Sequence, residues 1–212
     1  IQLFDKNLNL NMAIPVICNF RKNDLLNGGF GAPIIPIYHQ LIHQKLNKKC
    51  SVFVNIGGVT NITIINQEGI FAGDTSFGNA LVNDLIKKKF NFEMDEDGYI
   101  SGQGLVNESI IDLILSDPFF SRSLPKTLDR NYFHKYLEQL QAMDKTENII
   151  NSLLEIVPIS IEKLIFDTDP TIILCGGGRK NLTLQKLFRQ HFKDVHSIDE
   201  YGLDGDYIES QG

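Results

Sequence analysis

The sequence predicts an α/β layer fold built on a mixed sheet. Three observations carry that reading. Short β-rich runs alternate with segments of helical apolar spacing. The runs near 51–55, 60–66 and 69–73 follow one another through short glycine-containing turns and read as antiparallel, hairpin-like strands. A later run, 171–175 (TIILC), passes through three glycines straight into an amphipathic segment.

The elements follow in chain order. Residues 1–12 are polar and Asn-rich and read as the end of a helix and a loop. The run 14–20 (IPVICNF) reads as a buried strand, with Pro15 near its start and Arg21 at its carboxyl end. In 22–36, Gly28, Gly29 and Gly31 predict a close-approach loop that Pro33 and Pro36 stiffen. A short helix is predicted over 38–46. The strand near 51–55 ends in Asn55, Gly57 and Gly58. The strand near 69–73 ends on Asp74, followed by Thr75, Gly78 and Asn79. A helix from about 79 to 90 sets Leu81, Leu85 and Ile86 on one face. The acidic stretch 91–104 lacks the DxDxDG ladder and closing Glu of a calcium loop, so it reads as a solvated turn. Helices are expected over 107–115, 131–140 and 146–166, and Pro158 is expected to kink or divide the last. Between them lies a cationic loop, 118–130. A helix over 182–192 and a strand over 195–198 precede a loop-like tail, with a helix starting near Asp206.

Composition narrows the function class. The 212 residues carry a net charge of -6 with acids and bases interspersed, which excludes the basic face of a general nucleic-acid binder. No apolar run reaches the roughly 20 residues that cross a bilayer, and the first ten residues have no signal-peptide pattern. Cys18, Cys50 and Cys175 are odd in number and far apart, so they read as buried free thiols in a reducing compartment. No CxxC or HxxxH spacing points to a structural metal.

Five stretches can carry chemistry, and each has a plainer reading; among them the cationic loop of Pro125, Lys126, Thr127 and Arg130 suits reaching into a cleft, or is simply solvated. Gly176, Gly177 and Gly178 between a strand and a helix suit close approach to a nucleotide, or simply make a tight turn. The pattern is neither a Walker A loop nor a Rossmann fingerprint. Asn55, Gly57 and Gly58 suit a hairpin whose N–H groups face a phosphate, or a β-turn. Asp74 suits a general base, or a cap of the following helix. Arg21 beside the glycine loop suits a carboxylate or phosphate, or a surface ion pair.

In their order, FR…GGFGAPIIPIYHQ, VFVNIGGVTNIT, GDTSFGNAL, DEDGYISGQG, LPKTLDRNYF, IILCGGGRKN and the GLDGDYIE tail resemble the anhydro-N-acetylmuramic acid kinase family, from about residue 14 to the end. The resemblance implies a ribonuclease-H-like lobe of the sugar kinase, actin and Hsp70 superfamily. It implies ATP and Mg²⁺ as cofactors and a cell-wall sugar as substrate, opened by water and phosphorylated at its 6-oxygen. It makes Asp74 the catalytic base. Asn55, Gly57 and Gly58 become a phosphate segment, and Gly176, Gly177, Gly178 and Asn181 an adenosine segment. Arg21, Gly29, Gly31 and Glu209 fall on the sugar side. It implies a cytoplasmic enzyme that binds neither nucleic acid nor membrane, paired as a homodimer or with a complementing amino-terminal fragment. Residues 1–46 are expected to be a remnant of a first lobe and a crossover, and 47–212 the second, ATP-binding lobe.

The departures from the family pattern are specific. Ser76 and Phe77 stand where the family has glycine and proline, and Asp129 replaces a glycine. The family's GTSxDGxD phosphate segment does not occur in these residues. The expectation is therefore that this chain alone lacks turnover. The alternative is a non-catalytic remnant or split-gene fragment that retains a nucleotide-binding or structural lobe.

Overall fold

The computed structural model describes residues 20–29, 31, 34–166 and 169–208. Their centre is a five-stranded sheet in the order β3-β2-β1-β4-β5, from β1 (Ser51–Ile56), β2 (Val59–Asn66), β3 (Gly69–Phe77), β4 (Thr171–Cys175) and β5 (Asp194–Ser197). β2 is antiparallel to β1 and β3, whereas β4 runs parallel to β1 and β5 to β4. Such a sheet, with one reversed strand and helices on its faces, is the α/β ribonuclease-H-like arrangement.

The helices are α1 (Phe20–Leu26), α2 (Pro36–Leu46), α3 (Asn79–Phe90), α4 (Glu108–Leu115), α5 (Leu137–Met143), α6 (Thr146–Glu162) and α7 (Leu182–His191). Strand alternation sorts the core into two halves. Val52, Val54, Ile56, Ile172 and Leu174 point toward α3, α6 and α7 in the larger cluster. Phe53, Ile173 and Cys175 point the other way, against Ile35 and Ile42 of the α2 region and against Ile198 and Ile208 of the tail. Burial on both faces is why β1 and β4 read as nearly unbroken apolar runs. Each fully buried Ile or Phe on these strands contributes about 1.5–3 kcal/mol of transfer free energy.

Several elements differ from expectation. The predicted strand 14–20 lies outside the described residues up to 19, and Phe20 opens α1. Arg21 and residues 22–26 are helical rather than strand end and loop, and the loop begins only at Asn27. The third strand continues past Asp74 to Phe77, because a bulge at Thr75 lets pairing resume between Ser76 and Thr60. α6 runs through Pro158 without dividing. The proline's neighbours are buried, so packing holds the helix where one N–H is lost. The segment predicted helical over 131–140 splits into a 3₁₀ turn, Tyr132–Tyr136, and α5. Cys50 and Cys175 are buried, as read from the sequence; Cys175 is a free thiol, and burial pushes it up to about 12. Cys18 lies outside the described residues.

Candidate active site at the carboxyl ends of the strands

β1 and β4 are parallel and end side by side, with Asn55 paired to Cys175. Both lead into glycine turns, so those turns meet. Gly176 adopts a positive φ of 70° and lies so close to Asn55 that a Cβ would overlap the Asn55 side-chain oxygen. A Cβ on Gly178 would overlap Ile56 in the same way. Alanine at either position would push the two turns apart.

The Gly57–Gly58 turn has a second task. Its carbonyls accept the N–H groups of Gly78 (3.1 Å), Asn79 (2.7 Å) and Ala80 (3.4 Å) at the start of α3. The hairpin turn therefore caps that helix, which has no side-chain cap of its own. Asn79 Nδ2 also donates to the Ile56 carbonyl, at 3.3 Å. The plainer reading of Asp74 as a helix cap is thereby displaced, since backbone carbonyls do that work.

Asp74 sits inside β3, half-buried, and is held from the neighbouring loop. Its N–H donates to the Lys126 carbonyl (2.8 Å), and its Oδ2 accepts the Leu128 N–H (2.7 Å). Burial raises its carboxyl above the usual range, while the Leu128 N–H and the Arg21 charge oppose that rise. Arg21, on α1, is thus close enough for Asp74 to feel its field. The same loop carries Arg130, whose Cδ lies 3.9 Å from where a Cβ of Gly58 would stand. One loop, 124–130, therefore touches both the candidate base and the candidate phosphate turn. Lys126 is not free to act there, because it is buried, donates to the Phe119 carbonyl at 3.1 Å and lies over the Phe119 ring.

A cavity of about 300 Å³ opens between the start of α3, residues 94–97 and the 177–181 turn. Asn79, Asn83, Asp95, Gly177, Gly178 and Asn181 are among its walls. Asn181 caps α7 through its Oδ1 (Leu184 N–H, 2.9 Å), and its Nδ2 donates to Asp95 at 3.3 Å. Asp95 in turn accepts the N–H groups of Ile100 (2.7 Å) and Ser101 (3.2 Å). The reading of 91–104 as a solvated turn is corrected here. Glu93 and Asp97 are exposed, but Asp95 is buried and fixes a cavity wall. Gly58 and Gly177 would meet no atom within 3.5 Å if given a Cβ, so both present open backbone. Open glycine turns at strand ends, beside a polar cavity, fit the phosphates and base of a nucleotide. A larger hollow of about 620 Å³ lies at the other end of the sheet, near the β2–β3 turn, and holds none of these groups.

The sugar-side residues are only partly described. Gly29 and Gly31 wrap the Asp24 carboxylate, which accepts the Gly31 N–H at 2.7 Å, and Gly31 has a φ of 68°. Asp24 thus organises a loop whose glycines alone stood out in the sequence. Glu209 lies outside the described residues. Among the described residues, no three His, Cys, Asp or Glu side chains converge as a metal site.

Comparison with known proteins decides the family. The whole chain, residues 1–212, matches the family described as anhydro-N-acetylmuramic acid kinase. The chain belongs to the anhydro-N-acetylmuramic acid kinase family. An anhydro-N-acetylmuramic acid kinase of Zymomonas mobilis is 34% identical over 204 residues, covering 94% of this chain and 55% of its own. One from Haemophilus influenzae is 32% identical over 232 residues, with 99% and 60% covered. The chain thus spans little more than half the length of these relatives. Among solved structures, the activator of the 2-hydroxyisocaproyl-CoA dehydratase from Clostridium difficile with bound ADPNP aligns at 14% identity. Its TM-score is 0.48, with 76% of this chain and 57% of that one covered.

Sequence reasoning did not single out Asn79, Asn83 or Asp95 as site residues, whereas Arg130 stood in a loop expected to reach the cleft. For Arg130 the signal was there, in a cationic loop. For Asp95 it was hidden, since nothing in an acidic stretch marks which acid is buried.

Proposed function

We propose that the protein is an ATP-dependent kinase of 1,6-anhydro-N-acetylmuramic acid, serving cytoplasmic recycling of a cell-wall sugar. The observation that carries this reading is Asp74, a half-buried carboxylate of raised pKa fixed by the loop that also lines the Gly57–Gly58 turn. Asp74 takes a proton from water as the water oxygen bonds to carbon one. The bond from carbon one to the bridging oxygen breaks, and that oxygen, O6, accepts the γ-phosphoryl as ADP leaves. Water enters opposite the breaking bond, as in inverting glycoside hydrolysis. A raised pKa makes Asp74 a stronger base than an ordinary carboxylate. Asn55, Gly57 and Gly58 bind phosphate, and Gly176, Gly177, Gly178 and Asn181 hold the adenosine end. Arg21 pairs with the acidic group of the sugar, near Gly29, Gly31 and Glu209. Mg²⁺, when bound, neutralises charge on the transferring phosphates.

Isothermal titration of Mg-ATP into the chain tests the nucleotide half of this reading. Saturable binding that Gly177→Val abolishes is the expected result. Absence of binding by the unsubstituted, folded chain contradicts it.

A further inference from the structure

The Arg179 side chain takes no part in the chemistry described above, yet it is one of the most buried cations in the chain, 5% exposed. It follows the glycine turn and reaches into the tail. Its Nε and Nη2 grip both oxygens of Asp199, at 2.7 and 3.1 Å. Its Nη1 donates to Asp206 Oδ1 at 2.7 Å and to the Gly176 carbonyl at 3.0 Å. The backbone N–H of Arg179 donates to that same carbonyl at 3.2 Å. A Cβ on Gly205 would overlap the guanidinium, and the Gly205 N–H donates to Asp199 at 3.0 Å. One side chain therefore ties the glycine turn to two points of the 199–206 segment.

The geometry has a directional consequence. The carbonyl of Gly176 and the N–H of Gly177 belong to one planar trans peptide and point opposite ways. Two donors fix that carbonyl, so they also fix the direction of the Gly177 N–H, and Gly177 lines the nucleotide cavity. The ordinary alternative is a buried ion pair that only stabilises the fold. That alternative does not require two donors on the one carbonyl that aims a cavity-lining amide.

We propose that Arg179 is a positioning residue that locks the Gly176–Gly178 turn to the 199–206 segment and so aims the Gly177 amide at the cavity. The proposal rests on the nucleotide reading given above. Lysine cannot substitute, because it lacks the planar fork that serves three acceptors at once.

The test uses Arg179→Lys and Asp206→Asn in the full 212-residue chain, with hydrogen exchange and titration of Mg-AMP-PNP. Because Lys180 of the cavity wall also donates to Asp206, at 2.6 Å, Lys180→Ala is the control for Asp206→Asn, which alters the tail side of the tie. Asp206→Asn is expected to speed exchange at the Gly176–Gly178 amides and to weaken nucleotide binding about tenfold, the scale of one charge-assisted hydrogen bond. Arg179→Lys is expected to do the same or more. A purely stabilising role would lower the melting temperature but leave the affinity of the folded protein unchanged. Affinity within twofold of the unsubstituted chain, or faster exchange confined to 198–206, overturns the proposal. Should Arg179→Lys not fold, Asp206→Asn carries the test, since Asp206 is 42% exposed in its side chain. If the unsubstituted chain binds no nucleotide, the ATP reading fails, and the exchange data still decide whether tail and turn are coupled.

Discussion

At the scale of residues, the departures from the family pattern find physical partners. Phe77, standing where the family has proline, is 1% exposed and meets Phe133 edge to face with centroids 5.2 Å apart. Its ring faces the core, not the cleft. Ser76 is fully buried, and its hydroxyl donates to the Phe77 carbonyl at 2.8 Å. Asp129 accepts the Asn131 N–H at 2.8 Å and so starts the turn before Tyr132–Tyr136. None of this was legible in the sequence, because a one-dimensional pattern does not say which face of a bulged strand a side chain takes. Asp74 stood out as a carboxylate among Gly73, Thr75 and Gly78, and the structure places it half-buried against the 124–130 loop. Phe77→Ala is expected to cost about 3–5 kcal/mol of stability, the usual cost of emptying a buried aromatic site, as read by urea denaturation. A loss below 1 kcal/mol would mean that the ring is not packed as described.

Elements were legible where their period was strong and obscure where tertiary contacts overrode local preference. β1, β2, β4, α3 and α7 stand within a residue or two of expectation, since their apolar periodicity matches their burial. β3 was cut short because Asp74 resembled a strand end, and only pairing with β2 shows the bulge. The 124–130 loop lies along edge strand β3, and Gly73 lets it approach to contact with Leu124 and Lys126. α2 docks on the opposite face through His39, which stacks on Phe53 at 4.3 Å and 4° and shares a 2.9 Å hydrogen bond with Thr63. Burial lowers the His39 pKa to about 4. The unfolded imidazole, near its ordinary 6.5, binds its proton first as pH falls. Stability is therefore full above about pH 6.5 and declines toward pH 4, by up to about 3 kcal/mol from this group. His191 and His196, raised by acidic neighbours, act in the opposite sense, so the informative quantity is a difference. His39→Gln is expected to flatten the pH 7 to pH 5 loss measured by chemical denaturation. An unchanged slope would remove His39 from that account.

At the scale of the whole molecule, the order of motifs was more informative than any one of them. Each glycine turn had an ordinary structural explanation, and the fold supplies one for most. The 57–58 carbonyls cap α3, Asn181 caps α7, and Gly31 satisfies Asp24. These tasks do not compete with function. They fix the backbone and leave Gly58 and Gly177 open, Gly177 at the wall of the cavity. The division into 1–46 and 47–212 as remnant and full lobe is a proposal, and α2 packs on the same sheet as the tail. The most direct test of the central claim is the rate of ADP release with 1,6-anhydro-N-acetylmuramic acid and Mg-ATP, measured on the full-length protein and its Asp74→Asn form. Loss of a general base is expected to lower the rate by about 10²–10⁴-fold, with ATP affinity unchanged. Undiminished turnover by Asp74→Asn would contradict the account.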